Sequence, residues 1–395
     1  MTKSKKSRHS TKLNRNVFRT QFFTFATVGS MISLQFELLM GDRGIPLAWA
    51  LVILSVSQSI NMLTMLTLRK LDDVIKDMNI VIRTAFVIRA VITGAMVITT
   101  HSGLFIALFL MFHVVAAPNV MFEGMVTKWS FERGLNFSNI RYFASICFST
   151  GGLIAGFIFS LTGNINSILI YIFIISLINA VGAFIFPVEP SEKDTAVREK
   201  RPGLKWEYRL LLILVAMTMS FPGSFGFVLN AHYRDVFGLS VDSAIFFAGV
   251  ALLIGAFLSE VTGFIVVDRL VTRFGTKRIM LMGFVMSVTR WVLAFIAPNE
   301  YVFTATYIFH GMSFAFGYIG ALTYIRAKIG NEFMSKLVME FVLFLFIQNL
   351  AMTQLINLVL NIADGRALML IYVIMNFALI SIYYLKFMKK KQIVD

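Results

Sequence analysis

Twelve long apolar runs divide the sequence, and they constrain the fold more than any other feature. Each run has about 20 residues or more, the length that an α-helix needs to cross a lipid bilayer. Hydrophobic residues make up 57% of the chain and charged residues 14%, and the mean hydropathy is +0.77, outside the usual range of soluble domains. None of the runs alternates with period two, which excludes a transmembrane β-barrel. The runs lie at 18–40, 45–67, 80–100, 103–127, 140–163, 165–187, 208–230, 243–266, 278–297, 302–325, 337–361 and 367–386.

A long polar segment separates the first six runs from the last six. This segment, VEPSEKDTAVREKRPGLKWEYR, carries many charges, two prolines and a glycine, which is typical of a linker. We therefore predict an all-α integral membrane protein with twelve transmembrane helices in two six-helix halves. The predicted parts are a basic tail at 1–17, an N-terminal half at 18–187, a linker at 188–207, a C-terminal half at 208–386 and a second tail at 387–395.

The basic residues predict how the chain is oriented in the membrane. All but five of the 36 Lys and Arg residues lie in the two tails or around the loops that follow even-numbered runs. By the positive-inside rule, both termini then face the cytoplasm of a cell membrane. The net charge of +15 is thus a topology signal, and we expect no nucleic-acid partner because the charge is spread over many short loops. The five exceptions are Arg43, Arg234 and Arg366 in the other loops, and Arg89 and Arg290 within the third run of each half.

Two charged residues lie where the fourth run ends and the fifth begins. Glu123 and Arg141 are each nine residues from Glu132, so a helical hairpin centred there brings them to the same depth. A lone charge in hydrocarbon is unfavourable by roughly 2.5 to 3.5 kcal/mol, so we expect the two to pair. The pair is either part of a solute site or a structural salt bridge that fixes the hairpin.

A second group of ionisable residues lies in the C-terminal half. Arg290 and His310 are each ten residues from Glu300, which brings them to equal depth, and Glu260 in the eighth run can lie within a helical turn of Arg290. Such a cluster suits proton coupling, because a carboxyl group in an apolar cavity takes up a proton more readily and a nearby arginine opposes this. The alternative is three charges that are satisfied separately.

Other kinds of chemistry lack the residues they need. The single cysteine, Cys147, cannot form a disulfide within the chain. The sequence has no glycine-rich phosphate-binding loop of the ATPase type, and its five histidines show no metal-ligand spacing. We therefore expect neither an enzyme nor a cofactor or metal.

Three stretches resemble one family. FEGMVTKWSFERGLNFSNIRYFASICF, LSEVTGFIVVDRLVTRFGTKRIMLMGFVMSVTRW and FHGMSFAFGYIGALTYI are similar to the fourth-to-fifth and eighth-to-tenth helix regions of the lactose permease, or oligosaccharide and nucleoside:proton symporter, branch of the major facilitator superfamily. The first stretch preserves the Glu-to-Arg spacing of eighteen. The resemblance implies secondary transport by alternating access between the two halves.

The resemblance also implies roles for individual residues. Glu123, Arg141, Phe148 and His310 match substrate-binding positions of the branch, with Phe148 where the permease has a tryptophan. Arg290 matches the arginine in the ninth helix of the branch, and Glu260 lies about one turn from the position of the permease's glutamate in the eighth helix. The resemblance implies proton coupling for both. The stretch DRLVTRFGTKR resembles the gating loop of the superfamily, with Asp268, Arg269 and Gly275 as its characteristic residues.

Two departures from the family affect the expected mechanism. Ser313 stands where the permease has its proton-carrying carboxylate, and Tyr307 where it has a lysine. Glu260 is then the better candidate proton carrier, with Glu37 and Glu340 as further candidates. We expect a monomeric transporter that moves a sugar, oligosaccharide or nucleoside together with protons. The alternatives are an exporter of sugars or amphipathic compounds, and a non-transporting sensor or lipid-handling protein with the same fold.

Overall fold

The computed structural model of the protein describes residues 5–71, 78–116, 118–185, 204–330 and 334–389. Within these ranges, eleven helical segments are long and apolar enough to cross a membrane. A helix pair near the N-terminus, Leu13–Ser33 and Phe36–Asp42, is bent by 58° and completes a set of twelve. The prediction of a twelve-helix, all-α membrane protein is confirmed.

The twelve spans are numbered here in chain order. The first six consist of helices Lys5–Leu34 with Phe36–Asp42, Leu47–Leu71, Met78–Ile98, Ser102–Ala116 with Pro118–Glu132, Ser138–Thr162, and Ile165–Phe184. The last six consist of Trp206–Phe225 with Leu229–Phe237, Val241–Leu252 with Val261–Phe274, Thr276–Phe295, Glu300–Ala305 with Ile308–Ile329, Met334–Leu360, and Gly365–Tyr383. Three short segments complete the helices: a 3₁₀ turn Gly226–Val228, a π-helix Leu253–Glu260 and a π-helix Tyr384–Met388.

The predicted tails and linker lie largely beyond the described residues. Residues 186–203, which make up most of the predicted linker, and residues 1–4 and 390–395 are outside them. The first helix begins at Lys5, inside the segment predicted as a tail. Because consecutive spans cross in opposite directions, the first helix begins and the last helix ends on one side, which we term the terminal face. The loops after odd-numbered spans lie on the opposite face.

Among the described residues, the opening span of each set of six is interrupted. The first and seventh spans each consist of two helices, as does the tenth, and the eighth contains the π-helix Leu253–Glu260. Pro222 lies just before the 3₁₀ turn of the seventh span. Broken spans at corresponding positions of two repeats point to a solute site between them.

Five spans make most of the contact between the first six and the last six. The fifth span packs against the eighth, and the eleventh packs against the second and the fourth. Many large apolar side chains on the outer surface are exposed, among them Phe157, Leu161, Val181 and Phe184. Lipid tails can cover such residues, so the buried polar side chains are the ones that call for an explanation.

Candidate functional site

Glu123 and Arg141 form an ion pair between the fourth and fifth spans. Arg141 Nε lies 3.1 Å from Glu123 Oε1, and each side chain is 18% exposed. The pairing predicted from their equal distance to Glu132 is therefore confirmed. The guanidinium also lies over the rings of Phe264 and Phe314, at 5.9 and 5.6 Å from their centroids. The pair is thus covered by aromatic rings from the last six spans.

A tyrosine from the tenth span completes the hydrogen bonding of Glu123. The Tyr318 hydroxyl donates to Glu123 Oε1 over 2.9 Å. Its ring is stacked on Phe314, with centroids 5.6 Å apart, and also contacts Phe341. The carboxylate of Glu123 is therefore held by a cation from the first six spans and a hydroxyl from the last six.

Glu260 belongs to the last six spans and receives its hydrogen bond from the first six. Glu260, in the eighth span, is buried and accepts a 2.5 Å hydrogen bond from the Ser145 hydroxyl in the fifth span. Arg141 interacts electrostatically with Glu260 as well as with Glu123. One arginine is thus shared by two carboxylates, and each carboxylate receives a hydroxyl from the other set of spans. We call these five residues the central network: Glu123, Arg141, Ser145, Glu260 and Tyr318.

The backbone of the eighth span explains the position of Glu260. Residues Leu253–Glu260 form a π-helix, a wide turn that shifts the following side chains around the helix and is frequent at functional sites. The backbone of this π-helix packs directly on Gly311 in the tenth span. A Cβ on Gly311 would overlap the backbone of Glu260 and the carbonyl of Gly255, so only glycine fits at this contact. Ser259 reinforces the contact by donating to the Ile308 carbonyl and accepting from the Met312 N–H.

The predicted cluster of Glu260, Arg290 and His310 is only partly present. Arg290 is buried and lies over the Tyr307 and Trp291 rings, at 4.3 and 4.5 Å from their centroids. It interacts electrostatically with Tyr307 and His310. The carboxyl group of Glu260 instead faces Ser145 and Arg141, because the π-helix turns it toward the first six spans.

The two departures from the family also have structural explanations. Tyr307, which stands where the permease has a lysine, contacts Arg290 through its ring, whose centroid lies 4.3 Å from the guanidinium. The Ser313 hydroxyl stands where the permease has a carboxylate, and it donates to the carbonyl of His310 in its own helix over 2.8 Å.

Phe148 lies two turns beyond Arg141 on the same helical face. Its side chain is 36% exposed, so other side chains do not cover its ring fully.

The predicted gating loop connects the two sets of spans at the terminal face. Asp268 accepts a 2.6 Å hydrogen bond from Ser138 at the start of the fifth span. Arg326, which interacts electrostatically with Asp268, lies 4.1 Å from the centroid of the Phe131 ring. Gly275 has φ +81 between the eighth and ninth spans, a conformation that favours glycine. Arg269 is exposed at this face.

The opposite face carries a second connection, which the sequence did not predict. Arg234, at the end of the seventh span, forms an ion pair with Glu37 in the first span. Beside it, the Phe36 and Phe227 rings meet edge to face with centroids 5.6 Å apart. The two sets of spans are therefore in contact at both faces as well as at the central network.

Ser145, Tyr318 and the Glu37–Arg234 pair are among the polar contacts that were not predicted from the sequence. Ser145 had a usable signal, since it lies one helical turn after Arg141 on the same face. Tyr318 and Arg234 had none, because their partners are 195 and 197 residues away in the chain. Within the described ranges, no group of three or more His, Cys, Asp or Glu residues could hold a metal ion.

Comparison with known proteins agrees with this architecture. The family described as the MFS_1 like family matches residues 17–339. No curated protein sequence is significantly similar to the chain.

Solved structures of transporters share the fold. An alanine variant of the nucleoside transporter NupG has a TM-score of 0.71 at 15% identity, covering 95% of this chain and 100% of that one; another NupG structure has a TM-score of 0.65 with the same identity and coverage. An auto-inhibited POT family peptide transporter has a TM-score of 0.69 at 10% identity, covering 97% of this chain and 98% of that one. The family match extends over most of the sequence, so this chain belongs to the MFS_1 like family, within the major facilitator superfamily, and is a secondary transporter rather than an enzyme.

Proposed function

We propose that the protein transports a small polar solute together with protons, by alternating access between its two six-helix halves. The observation that carries this proposal is the central network, in which Arg141 is shared between Glu123 and Glu260 and each carboxylate is bonded from the opposite set of spans. Such a network links the state of the site to the relative position of the halves.

Charge counting supports the uptake of one proton. Two carboxylates and one guanidinium carry a net charge of −1, which is unfavourable in a low-dielectric site. One proton makes the network neutral. We assign that proton to Glu260, whose Ser145 hydroxyl can serve either as donor or as acceptor, whereas Glu123 keeps its direct ion pair with Arg141.

The solute site is proposed around Glu123 and Arg141. A carboxylate and a guanidinium can accept from and donate to neighbouring hydroxyl groups, an arrangement suited to sugars. Phe148 supplies an apolar surface two turns along the same helix, against which a sugar ring or a base can pack. His310 and Arg290 are proposed to bind solute and to support coupling from the tenth and ninth spans. Sugars, oligosaccharides and nucleosides are the solutes to test first, and two of the similar structures are of a nucleoside transporter.

A screen for solute-driven proton movement tests this function. The full-length protein is reconstituted in proteoliposomes with a pH-sensitive dye in the external medium, and sugars and nucleosides are added one at a time. We expect at least one solute to make the medium more alkaline in a protein-dependent way. If no solute moves protons although one is taken up, proton coupling is wrong. If none is taken up, this solute class is wrong.

Export is a second candidate, favoured by one observation. The proton-carrying carboxylate of the permease is replaced by Ser313, whose hydroxyl is bonded to its own helix and cannot carry a proton in the same way. An exporter would accumulate solute in inside-out vesicles on acidification of their lumen, whereas an importer would do so in right-side-out vesicles with an acidic medium.

We also propose that the protein is a monomer in the cell membrane with both termini in the cytoplasm. The support is the concentration of Lys and Arg in the tails and the even-numbered loops. Labelling of cysteines introduced at Ala48 and Arg269, in the Cys147→Ser background and in intact cells, tests the orientation. We expect an impermeant reagent to label Ala48→Cys alone, and the reverse pattern would contradict the proposal.

A further inference from the structure

We propose that the first six spans contain a binding site for a small anion, formed by Arg89, His113 and Asn61. These residues lie in the third, fourth and second spans, apart from the central network. The proposal goes beyond solute and proton transport and does not depend on them. Arg89 is only 2% exposed.

Arg89 lacks the counter-charge that a buried guanidinium needs. Among the described residues, its Nε and Nη1 atoms have no hydrogen-bond partner, and no carboxylate interacts with it electrostatically. It lies over the rings of Phe25 and Phe112, at 5.0 and 4.8 Å from their centroids. These rings shield the guanidinium from lipid but contribute no negative charge, and arginine cannot lose its own charge in a protein.

His113 adds a second donor at the same place. Asn61 Nδ2 donates to His113 Nδ1 over 2.9 Å, so the ring hydrogen is on Nε2. This Nε2 is buried and also without a partner in the described part of the chain. His113 interacts electrostatically with Arg89. The site therefore offers a fixed cation and a neutral N–H donor, both unused.

Two less buried arginines of the spans differ in this respect, because Arg141 is paired with Glu123 and Arg234 with Glu37. Arg290 is buried like Arg89, and its guanidinium lies over the Tyr307 and Trp291 rings. A charge with no partner near the middle of a membrane is unfavourable. An anion bound between Arg89 and His113 would supply the missing charge and accept from both donors through charge-assisted hydrogen bonds.

The position of the site limits the size of the anion. Arg89 and His113 lie about 15 Å along their helices from the opposite face, near the centre of the bilayer. Aromatic rings enclose the guanidinium, and His113 packs against Phe109 with centroids 4.7 Å apart. The ligand is therefore a small monovalent anion, either an inorganic ion such as chloride or the carboxylate of a small acid.

Anion-dependent stability of the purified full-length protein tests the proposal. Melting temperature is measured against chloride and, separately, against acetate, with gluconate holding the ionic strength constant. Because a ligand of the native state stabilises it by mass action, we expect a saturable rise with at least one of the two anions. A response to chloride identifies an inorganic ion, and a response to acetate alone identifies a carboxylate.

Two variants determine whether Arg89 is responsible. Arg89→Gln should raise the apparent dissociation constant at least tenfold, whereas Arg43→Gln, the matched change of an arginine whose side chain is 8% exposed, is paired with Asp42 and lies over the Phe105 ring, should leave the anion response in place. If Arg89→Gln does not fold, His113→Phe keeps a ring but removes the donor and should weaken binding several-fold. A response that is absent or unsaturable in the native protein, or unchanged in the folded variants, would overturn the proposal.

Discussion

At the scale of single residues, two hydroxyl groups of the central network contact different carboxylates, and each can be removed separately. Tyr318 donates to Glu123, and its ring is held independently by Phe314 and Phe341. Tyr318→Phe therefore removes one hydrogen bond without changing the packing. We expect it to raise the KM for the solute by roughly tenfold, equivalent to about 1.4 kcal/mol, and to leave the melting temperature within about 2 °C. An unchanged KM would remove Tyr318 from the site.

Ser145 allows a sharper comparison because a matched serine lies one turn further on. The Ser145 hydroxyl bonds Glu260, whereas the Ser149 hydroxyl bonds the Ile146 carbonyl in its own helix. We expect Ser145→Ala to reduce the number of protons moved per solute, since the contact to the proposed proton carrier is lost, and Ser149→Ala to leave it unchanged. The ratio is measured from paired solute and proton fluxes. Equal ratios in both variants would contradict the role of Ser145.

The residues predicted from the sequence were those whose partners are near in the chain. Glu123 and Arg141 were paired correctly because a hairpin of two helices fixes their relative depth. Glu260 was placed beside Arg290 because a straight α-helix was assumed, and the π-helix Leu253–Glu260 turns its side chain elsewhere. No periodicity in the sequence reveals such a turn. Tyr318 was missed since its contact depends on how the two sets of spans pack.

At the scale of elements, the eighth and tenth spans meet at glycines. A Cβ on Gly311 would overlap the backbone of Glu260, whereas one on Gly29 in the first span has no atom within 4 Å. Gly311→Ala should therefore force the spans apart and destabilise the protein by about 1 to 3 kcal/mol. Gly29→Ala should be neutral or slightly stabilising. Thermal unfolding in detergent measures both, and an equal melting temperature for the two variants would contradict the close contact.

Element existence was predicted well, and element continuity was not. Each apolar run corresponds to a span, because roughly 20 apolar residues leave a membrane helix as the only solution. The break in the seventh span follows Pro222. The breaks near Gln35 and Tyr307 follow neither proline nor glycine, so tertiary packing determines them.

At the scale of the whole molecule, each face has a contact that holds the two halves together there, so the loss of one contact favours opening at that face. The Glu37–Arg234 ion pair joins the halves at the opposite face, and Ser138–Asp268 joins them at the terminal face. Glu37→Gln should shift the population toward states open at the opposite face, because it removes a partly buried charge pair. Spin labels at Ala48→Cys and Ile362→Cys, in the Cys147→Ser background, should report a longer distance. Ser138→Ala should not lengthen it, and an increase of equal size there would contradict the assignment.

The most direct test of the account concerns Glu260 as the proton carrier. Glu260→Gln keeps the size and a hydrogen-bonding group but can no longer exchange a proton. We predict that this variant still exchanges solute across the membrane in counterflow, and that solute-driven proton movement is lost. Glu132→Gln, which changes a surface carboxylate paired with Lys128, should retain both activities. If Glu260→Gln continues to move protons with the solute at the native ratio, the central claim is wrong.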